Sequence, residues 1–446
     1  MNMTTIRLQA ALQSLPENAP EAVVDSLFVP PLLEAIGFTS EEVFPQYKTG
    51  NGSEKVDKAA RKNTEEASFI QTGANPYLLV ELKGRDINLS NGTAQYQATV
   101  KQLKRYLLAP NCQSAQWGII TNSCHIQLFR KHGKAIFPAT ECLALNEDTI
   151  DGIVAAIRQK IEHPSKALTV AIYNNKGGVG KTTTTVNLGA ILTFLGKKVL
   201  MIDFDPNQQD LTSSLGLSLS EDRVFQALTD RTVELKSTIS PFRHILKSGN
   251  ALRFDVVPAD KKLSEHPENL LRNLVRKNTL HLKLEALRQE YDYILIDAPP
   301  NWRVFSQLAV YAADVVLIPT KHNNLFSLEN AATVIRRFIA EVQAEKGDGS
   351  PVALPIFFNG GKITPPQLKM AQEEIANILK AAKREQCDLL PYFFSRYSGA
   401  RKDLYIPHVP SYAHIASAAF ARMPAVYRDR SAHEYYKSLA KEYFLQ

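Results

Sequence analysis

Lys176-Gly177-Gly178-Val179-Gly180-Lys181-Thr182-Thr183 is the stretch on which the reading of this chain turns. The apolar run Leu168 to Tyr173 precedes it and predicts a strand, and Thr182 to Phe194 follows it and predicts a helix. A glycine-rich turn in that setting aims successive backbone N–H groups inward around an anion, and the helix N-terminus adds its partial positive charge. Gly177, Gly178, Val179 and Gly180 then form a phosphate cradle that runs on into Thr183. Lys181 reaches the terminal phosphates and the Thr182 hydroxyl holds Mg²⁺. A second lysine, Lys176, stands at the start of the loop. The competing reading, a ligand-free β–α turn, accounts for neither lysine.

At 446 residues the chain exceeds one ordinary core, so two domains are expected. Its 44% hydrophobic and 22% charged composition is that of a soluble globular protein. No basic segment followed by an apolar run opens the sequence, and no apolar stretch approaches membrane-spanning length. Cys112, Cys124, Cys142 and Cys387 form neither a C-x-x-C pair nor a zinc spacing, which fits a reduced compartment. The expectation is a cytoplasmic protein with no membrane partner. Residues 1–163 carry 16 Lys+Arg against 17 Asp+Glu, and the remainder 36 against 28. A basic second half fits a phosphate-rich partner such as DNA, or simply a solvated surface.

The pattern along the chain predicts an α/β protein of two domains. In residues 1–133, Glu21 to Ile36 reads as a helix that Pro30 and Pro31 should kink or divide. A Gly/Asn/Ser turn (Gly50 to Ser53), a strand Tyr77–Leu82, a helix Ala94–Leu108 and strands Trp117–Thr121 and His125–Arg130 follow. Residues 134–166 read as a helical linker, with a helix over Ile150–Ile161 and a hinge at Pro164-Ser165-Lys166. Residues 167–446 alternate helices with apolar runs: Leu168–Tyr173, Lys198–Ile202, Phe254–Val257, Tyr293–Ile296, Val315–Ile318 and Leu354–Phe358. Short β-branched runs of this kind predict a mostly parallel sheet covered by helices on both faces, with ligands beyond the strand C-terminal ends.

Three polar strand ends accompany the loop. Asp203 and Asp205 close one apolar run and, by alternation, face the same way. Asp297 closes another, the usual placement of an acid that supports Mg²⁺. Asn359 closes Phe357-Phe358 with an amide able to hydrogen-bond a base edge. In this order, after this loop, the second block resembles the ParA/MinD family of deviant phosphate-loop ATPases over roughly residues 167–446. The resemblance implies ATP and Mg²⁺ as cofactors and a homodimer closed over two nucleotides. Lys176 would reach the partner's phosphates, and Lys181 and Thr182 would serve phosphates and metal in cis. Asp205 would orient the attacking water, Asp297 would support the metal, and Asn359 would contact adenine. Phosphoryl transfer needs mainly positioning and charge neutralisation, so a lysine supplied in trans ties hydrolysis to dimerisation.

Within the family, iron–sulfur scaffolds need paired cysteines that this chain lacks, and arsenite-pump ATPases carry two phosphate loops. MinD-like members end in a basic amphipathic membrane helix. Here Tyr436, Leu439, Ala440, Tyr443 and Phe444 form one helical stripe with only two lysines on the segment, which favours core packing. ParA-like members bind DNA non-specifically and act with ParB-like activators. By that resemblance the candidate DNA contacts are Arg336, Arg337, Lys362, Lys369, Arg401, Lys402 and Arg422.

The first block holds Asp57, then Glu81-x-Lys83 on a strand, then Gln102-x-x-x-Tyr106 on a helix. An Asp and a Glu-x-Lys at one sheet edge is a phosphodiesterase arrangement: Asp57 and Glu81 hold Mg²⁺ and Lys83 stabilises charge. Lys58-Ala59-Ala60-Arg61 is a weak apolar strand. The block resembles the PD-(D/E)xK nuclease domain of type I restriction motor subunits, which implies a metal-dependent DNA endonuclease fused to a ParA-like switch in partition, mobile-element or defence biology. The alternative is a catalytically silent module that binds DNA or protein. A third reading, a metabolic enzyme of the dethiobiotin or cobyrinate amidase type, sits poorly with Lys176.

Overall fold

The computed structural model describes residues 3–65, 67–246, 249, 251–394, 404–410 and 413–446. The chain divides into two compact units, Met1–Pro164 with Gly347–Gly349 and Gln446, and Ser165–Lys346 with Ser350–Leu445. The break after Pro164 falls in the expected hinge. The stretch 134–166 corrects the expectation of a linker, because nearly all of it belongs to the first unit. It adds two strands and the helix Ile150–Glu162, whose Ile150, Val154, Ile157 and Ile161 are buried at helical spacing. An apolar stripe of that width must be covered, and the helix Val29–Ile36 packs on it.

The first unit is built on one mixed sheet. Strands β1 (Val43–Lys48), β2 (Lys55–Ala60), β3 (Leu78–Leu82), β4 (Trp117–Thr121), β5 (His125–His132) and β6 (Ala135–Pro138) lie side by side in that order, with β7 (Leu143–Ala144) on β5. β3 and β4 are parallel and joined through the helix Ala94–Leu107; the other neighbours are antiparallel. Alternation along β3 turns Leu78, Val80 and Leu82 toward one core with Leu8, Leu12, Leu33 and Ile157. Leu79 turns toward the other, against Leu103, Tyr106 and Leu107. Ala59 and Ala60 are fully buried in β2, so pairing on both sides overrides the weak local preference of Lys58–Arg61. The Pro30-Pro31 pair produces a bulge. The helix passes from Glu21–Val23 through a widened π-type turn, Val24–Phe28, into Val29–Ile36. Pro30 offers no N–H and its ring crowds the carbonyl four residues back; a widened turn absorbs both.

The second unit carries β8 (Leu168–Ile172), β9 (Val199–Asp203), β10 (Ser240–Ile245), β11 (Ala251–Val257), β12 (Tyr293–Asp297), β13 (Val315–Leu317), β14 (Pro319–Thr320), β15 (Val352–Ala353), β16 (Phe357–Gly360) and β17 (His408–Pro410). The larger sheet runs β10-β11-β9-β12-β8-β13-β15 and the smaller β14-β16-β17. All pairs are parallel except the hairpin β10/β11. β8 lies between β12 and β13, and the chain leaves it toward β9 on one side and later reaches β13 on the other. The loop after β8 therefore opens at the crevice where such sheets take ligands. Of the run Leu354–Phe358, expected as one strand, only Phe357 and Phe358 lie in a strand, β16 of the smaller sheet; Leu354 to Ile356 lie outside strands, between β15 of the larger sheet and β16. Pro355, which cannot donate to a ladder, stands between them.

The C-terminal stripe is core, as its spacing implied. Tyr436, Leu439, Ala440, Tyr443 and Phe444 are all buried, and the Tyr443 hydroxyl donates to the Ile356 carbonyl at 3.1 Å. The helix Arg430–Tyr443 packs on the helix Lys181–Phe194. Beside it the Val426 N–H donates to Asn187 Oδ1 at 3.1 Å and the Tyr427 hydroxyl to the Ala190 carbonyl at 3.1 Å. Among the described residues no helix is long and apolar enough to cross a membrane.

Candidate functional site

The loop between β8 and the helix Lys181–Phe194 has the backbone its sequence implied. Gly178 and Gly180 take φ values of 71° and 83°, where a side chain would be strained. The Gly180 carbonyl accepts the Thr184 N–H at 2.9 Å and so begins the helix. Lys181 is buried, and its ammonium donates to the Lys176 carbonyl at 3.2 Å, folding back along the loop. Burial lowers its pKa, while Asp297 and Asp205 pull the other way.

Both parallel neighbours of β12 end beside Asp297, which pairs in register with Ile172 on one side and Asp203 on the other. Burial and then the Asp203 charge push the Asp297 carboxyl up to about 8, against the Thr182 hydroxyl and the Lys181 ammonium, which hold it down. The Thr185 hydroxyl also donates to Asp297 Oδ1, at 3.5 Å. Asp203 accepts the Thr212 N–H at 2.8 Å and hydroxyl at 2.6 Å, and burial pushes it up to about 6. Those bonds make Asp203 the pin of the segment after β9. Asp205 Oδ1 accepts from the Asn207 and Gln208 N–H groups at 3.3 and 3.2 Å, and burial raises its pKa. Acids crowded and desolvated in this way are relieved by a cation.

The residues fit a magnesium–triphosphate. Among the described residues no three His, Cys, Asp or Glu side chains converge to hold a metal alone. Mg²⁺ typically takes one or two protein groups and completes its shell with phosphate oxygens and water, so Thr182 with Asp297 behind it suffices. Lys176 is half-buried, with its ammonium 5.9 Å from the centre of the Phe326 ring, a neighbour that the sequence did not suggest. Asn359, expected at the adenine, lies against the loop. Its Nδ2 is 3.1 Å from the Val179 carbonyl and 3.3 Å from that of Gly180.

The basic candidates are unequal. Arg336 is tied to Glu385 at 2.7 Å. Arg337, Lys362, Lys369 and Arg422 are exposed, and Arg401 and Lys402 lie outside the described residues.

In the first unit Lys58 pairs with Val80, which sets Asp57 beside Glu81. Asp57 Oδ2 accepts the Leu82 N–H at 2.8 Å and Oδ1 the Gln46 amide at 3.3 Å. The Lys83 ammonium sits 2.6 Å from Glu81 Oε1, while Glu81 Oε2 is buried and, among the described residues, has no hydrogen-bond partner. Burial first, then the Asp57 charge, push the Glu81 carboxyl up to about 7. An orphaned carboxylate oxygen beside a second acid fits a divalent cation. The Gln102 amide donates to the Tyr106 hydroxyl at 2.9 Å across one helical turn. Sequence reasoning missed Glu21, whose carboxylate is 3.8 Å from the Lys83 ammonium; a single acid at a helix start carries no motif.

The loop, its buried lysine and the acids at the ends of β9 and β12 define a phosphate-loop nucleotide-binding unit. A family model described as an AAA domain matches residues 167–348. The chromosome-partitioning ATPase Soj of Treponema pallidum is 31% identical over 210 residues, 47% of this chain and 77% of that protein. The sporulation initiation inhibitor protein Soj of Bacillus subtilis is 41% identical over 152 residues, 34% of this chain. The chain belongs to the ParA/MinD family of phosphate-loop ATPases. It spans 57% of the length of the Bacillus relative. Among solved structures, a Cyanothece McdA variant in complex with ATP has a TM-score of 0.47 at 21% identity, covering 63% of this chain and 98% of that one.

Proposed function

We propose that the chain is an ATP-hydrolysing partition or positioning switch that closes into a homodimer on ATP and Mg²⁺ and associates with DNA through its second unit. The observation that carries this reading is the burial of Lys181 within the loop, its ammonium folded back to the Lys176 carbonyl at 3.2 Å and under the pull of Asp297 and Asp205. Lys181 and the loop N–H groups neutralise and orient the phosphates, Asp205 orients the attacking water, and Lys176 acts on the partner's nucleotide. Magnesium, when bound, supplies charge neutralisation between the terminal phosphates. A ParB-like activator fits this cycle. The test is ATP turnover with and without duplex DNA, beside light scattering with ATP and Mg²⁺ under blocked hydrolysis. A protein that stays single and shows no turnover above an Asp205→Ala variant refutes it.

The first unit is proposed to be a PD-(D/E)xK-type module in which Asp57 and Glu81 hold a divalent cation beside Lys83. The unpartnered Glu81 Oε2 supports it. A silent recognition module is the second reading, favoured by the two Asp57 oxygens already accepting from Gln46 and Leu82. Plasmid nicking with Mg²⁺ that is lost in Glu81→Ala and Lys83→Ala proteins supports the nuclease, and absent or unchanged nicking supports the silent module.

A further inference from the structure

Asn359 stands at the end of β16, 5% exposed, on a strand remote in sequence from the phosphate loop. Its Nδ2 lies 3.1 Å from the Val179 carbonyl, 3.3 Å from the Gly180 carbonyl and 3.4 Å from Thr184 Oγ1. Only the NH₂ end of an amide can serve two carbonyls, and the reversed orientation would set oxygen against oxygen, so the contacts themselves fix which end faces the loop. The Gly180 carbonyl also accepts the Thr184 N–H, which places Asn359 at the residue where loop becomes helix. Gly180 has no side chain, and a Cβ built there would collide with the Asn359 amide. Loop and strand are fitted to each other at this point.

We infer that Asn359 is a positioning residue for the phosphate loop: it latches the Val179–Gly180 carbonyls so that the opposite faces of those peptides present N–H groups to phosphate before any nucleotide arrives. This rests on the nucleotide-site reading above, and it replaces adenine contact as the main work of this side chain. A latched loop is pre-organised, and its benefit falls on every ligand that bears the phosphates, with or without a base.

Inorganic tripolyphosphate separates the two roles because it has no base. The full chain is titrated calorimetrically with Mg²⁺-tripolyphosphate, Mg²⁺-ATP and Mg²⁺-GTP. Asn359→Leu is close in size to the native side chain, has no donor for the carbonyls and adds no charge beside the phosphates. Losing two buried hydrogen bonds should weaken tripolyphosphate and ATP by the same factor, about tenfold, with the ATP:GTP preference unchanged. Unchanged tripolyphosphate affinity, with ATP weakened or the ATP:GTP ratio shifted, would overturn the latch. Wild-type protein that binds neither ligand would instead overturn the nucleotide site itself, and the latch with it. A double-mutant cycle gives an independent measure should the leucine variant unfold. Gly180→Ala forces a methyl group against Asn359, so adding Asn359→Ala should recover at least threefold of the lost tripolyphosphate affinity, the strain at φ > 0 being common to both arms. Strictly additive losses contradict the contact.

Discussion

Asp314 and Arg288 form a buried ion pair at the foot of the strand that carries the phosphate loop, and their coupling can be measured. Their side chains are 8% and 10% exposed. Asp314 Oδ2 accepts from Arg288 at 2.6 Å and from the Thr169 N–H at 2.8 Å, while the Arg288 carbonyl accepts the Ala167 N–H at 2.8 Å. Asp314→Asn keeps an acceptor for Thr169 but strands a guanidinium out of water, a loss expected to be about 4 kcal/mol. Arg288→Met strands the carboxylate and should lose about 3 kcal/mol. The double variant strands neither charge and should lose about 1 kcal/mol, so the coupling is about 6 kcal/mol between two partners in direct contact. Urea unfolding followed through Trp302, in a Trp117→Phe background, reads the second unit. A double variant as unstable as the two single losses added together would refute the argument that each charge is there only for the other.

Three further expectations follow from particular contacts. The buried Lys131 ammonium donates to the carbonyls of Leu107, Cys112 and Gln113, and burial lowers its pKa from 10.5 to about 8. Between those values the unfolded chain holds a proton that the native one does not, so this residue's contribution to stability rises with pH. Unfolding free energies of wild type and Lys131→Met from pH 8 to 10 should diverge in favour of the wild type, and parallel curves would count against it. Tyr443→Phe leaves the Ile356 carbonyl without its donor and should cost about 1–2 kcal/mol in the same denaturation assay. Lys176→Ala should bind ATP nearly as tightly as wild type while hydrolysing it slowly, and brisk turnover by a monomeric variant would exclude a lysine acting in trans.

The loop was legible because its chemistry is local: glycines for φ > 0, a lysine and a threonine at fixed offsets, an apolar strand before and a helix after. Asp203 and Asp297 were legible for a related reason, each ending a fully apolar run, and Asp205 for its place two residues after the first. The hairpin strand Ser240–Ile245 was not, since a sheet edge tolerates the polar and basic pattern Ser-Pro-Phe-Arg-His-Ile that hides it. Pro355 was visible, but its effect, a gap between strands of two different sheets, depends on where neighbouring strands lie. The helix Ile150–Glu162 was found and misplaced, because its stripe says that it must be covered and not by what. Asn359 and Glu21 show the same limit at the level of sites: a single amide or acid acquires its role only from partners brought close by the fold.

The packing of the last helix upon the one that presents the phosphates has a practical corollary. Shortening the chain by a dozen residues would strip away Tyr436, Leu439 and Tyr443, and with them the backing of a segment that begins at Lys181. Damage to the far end of this polypeptide should therefore show itself as poor ligand affinity, and an activity lost on trimming would say nothing about a tail-borne catalytic group.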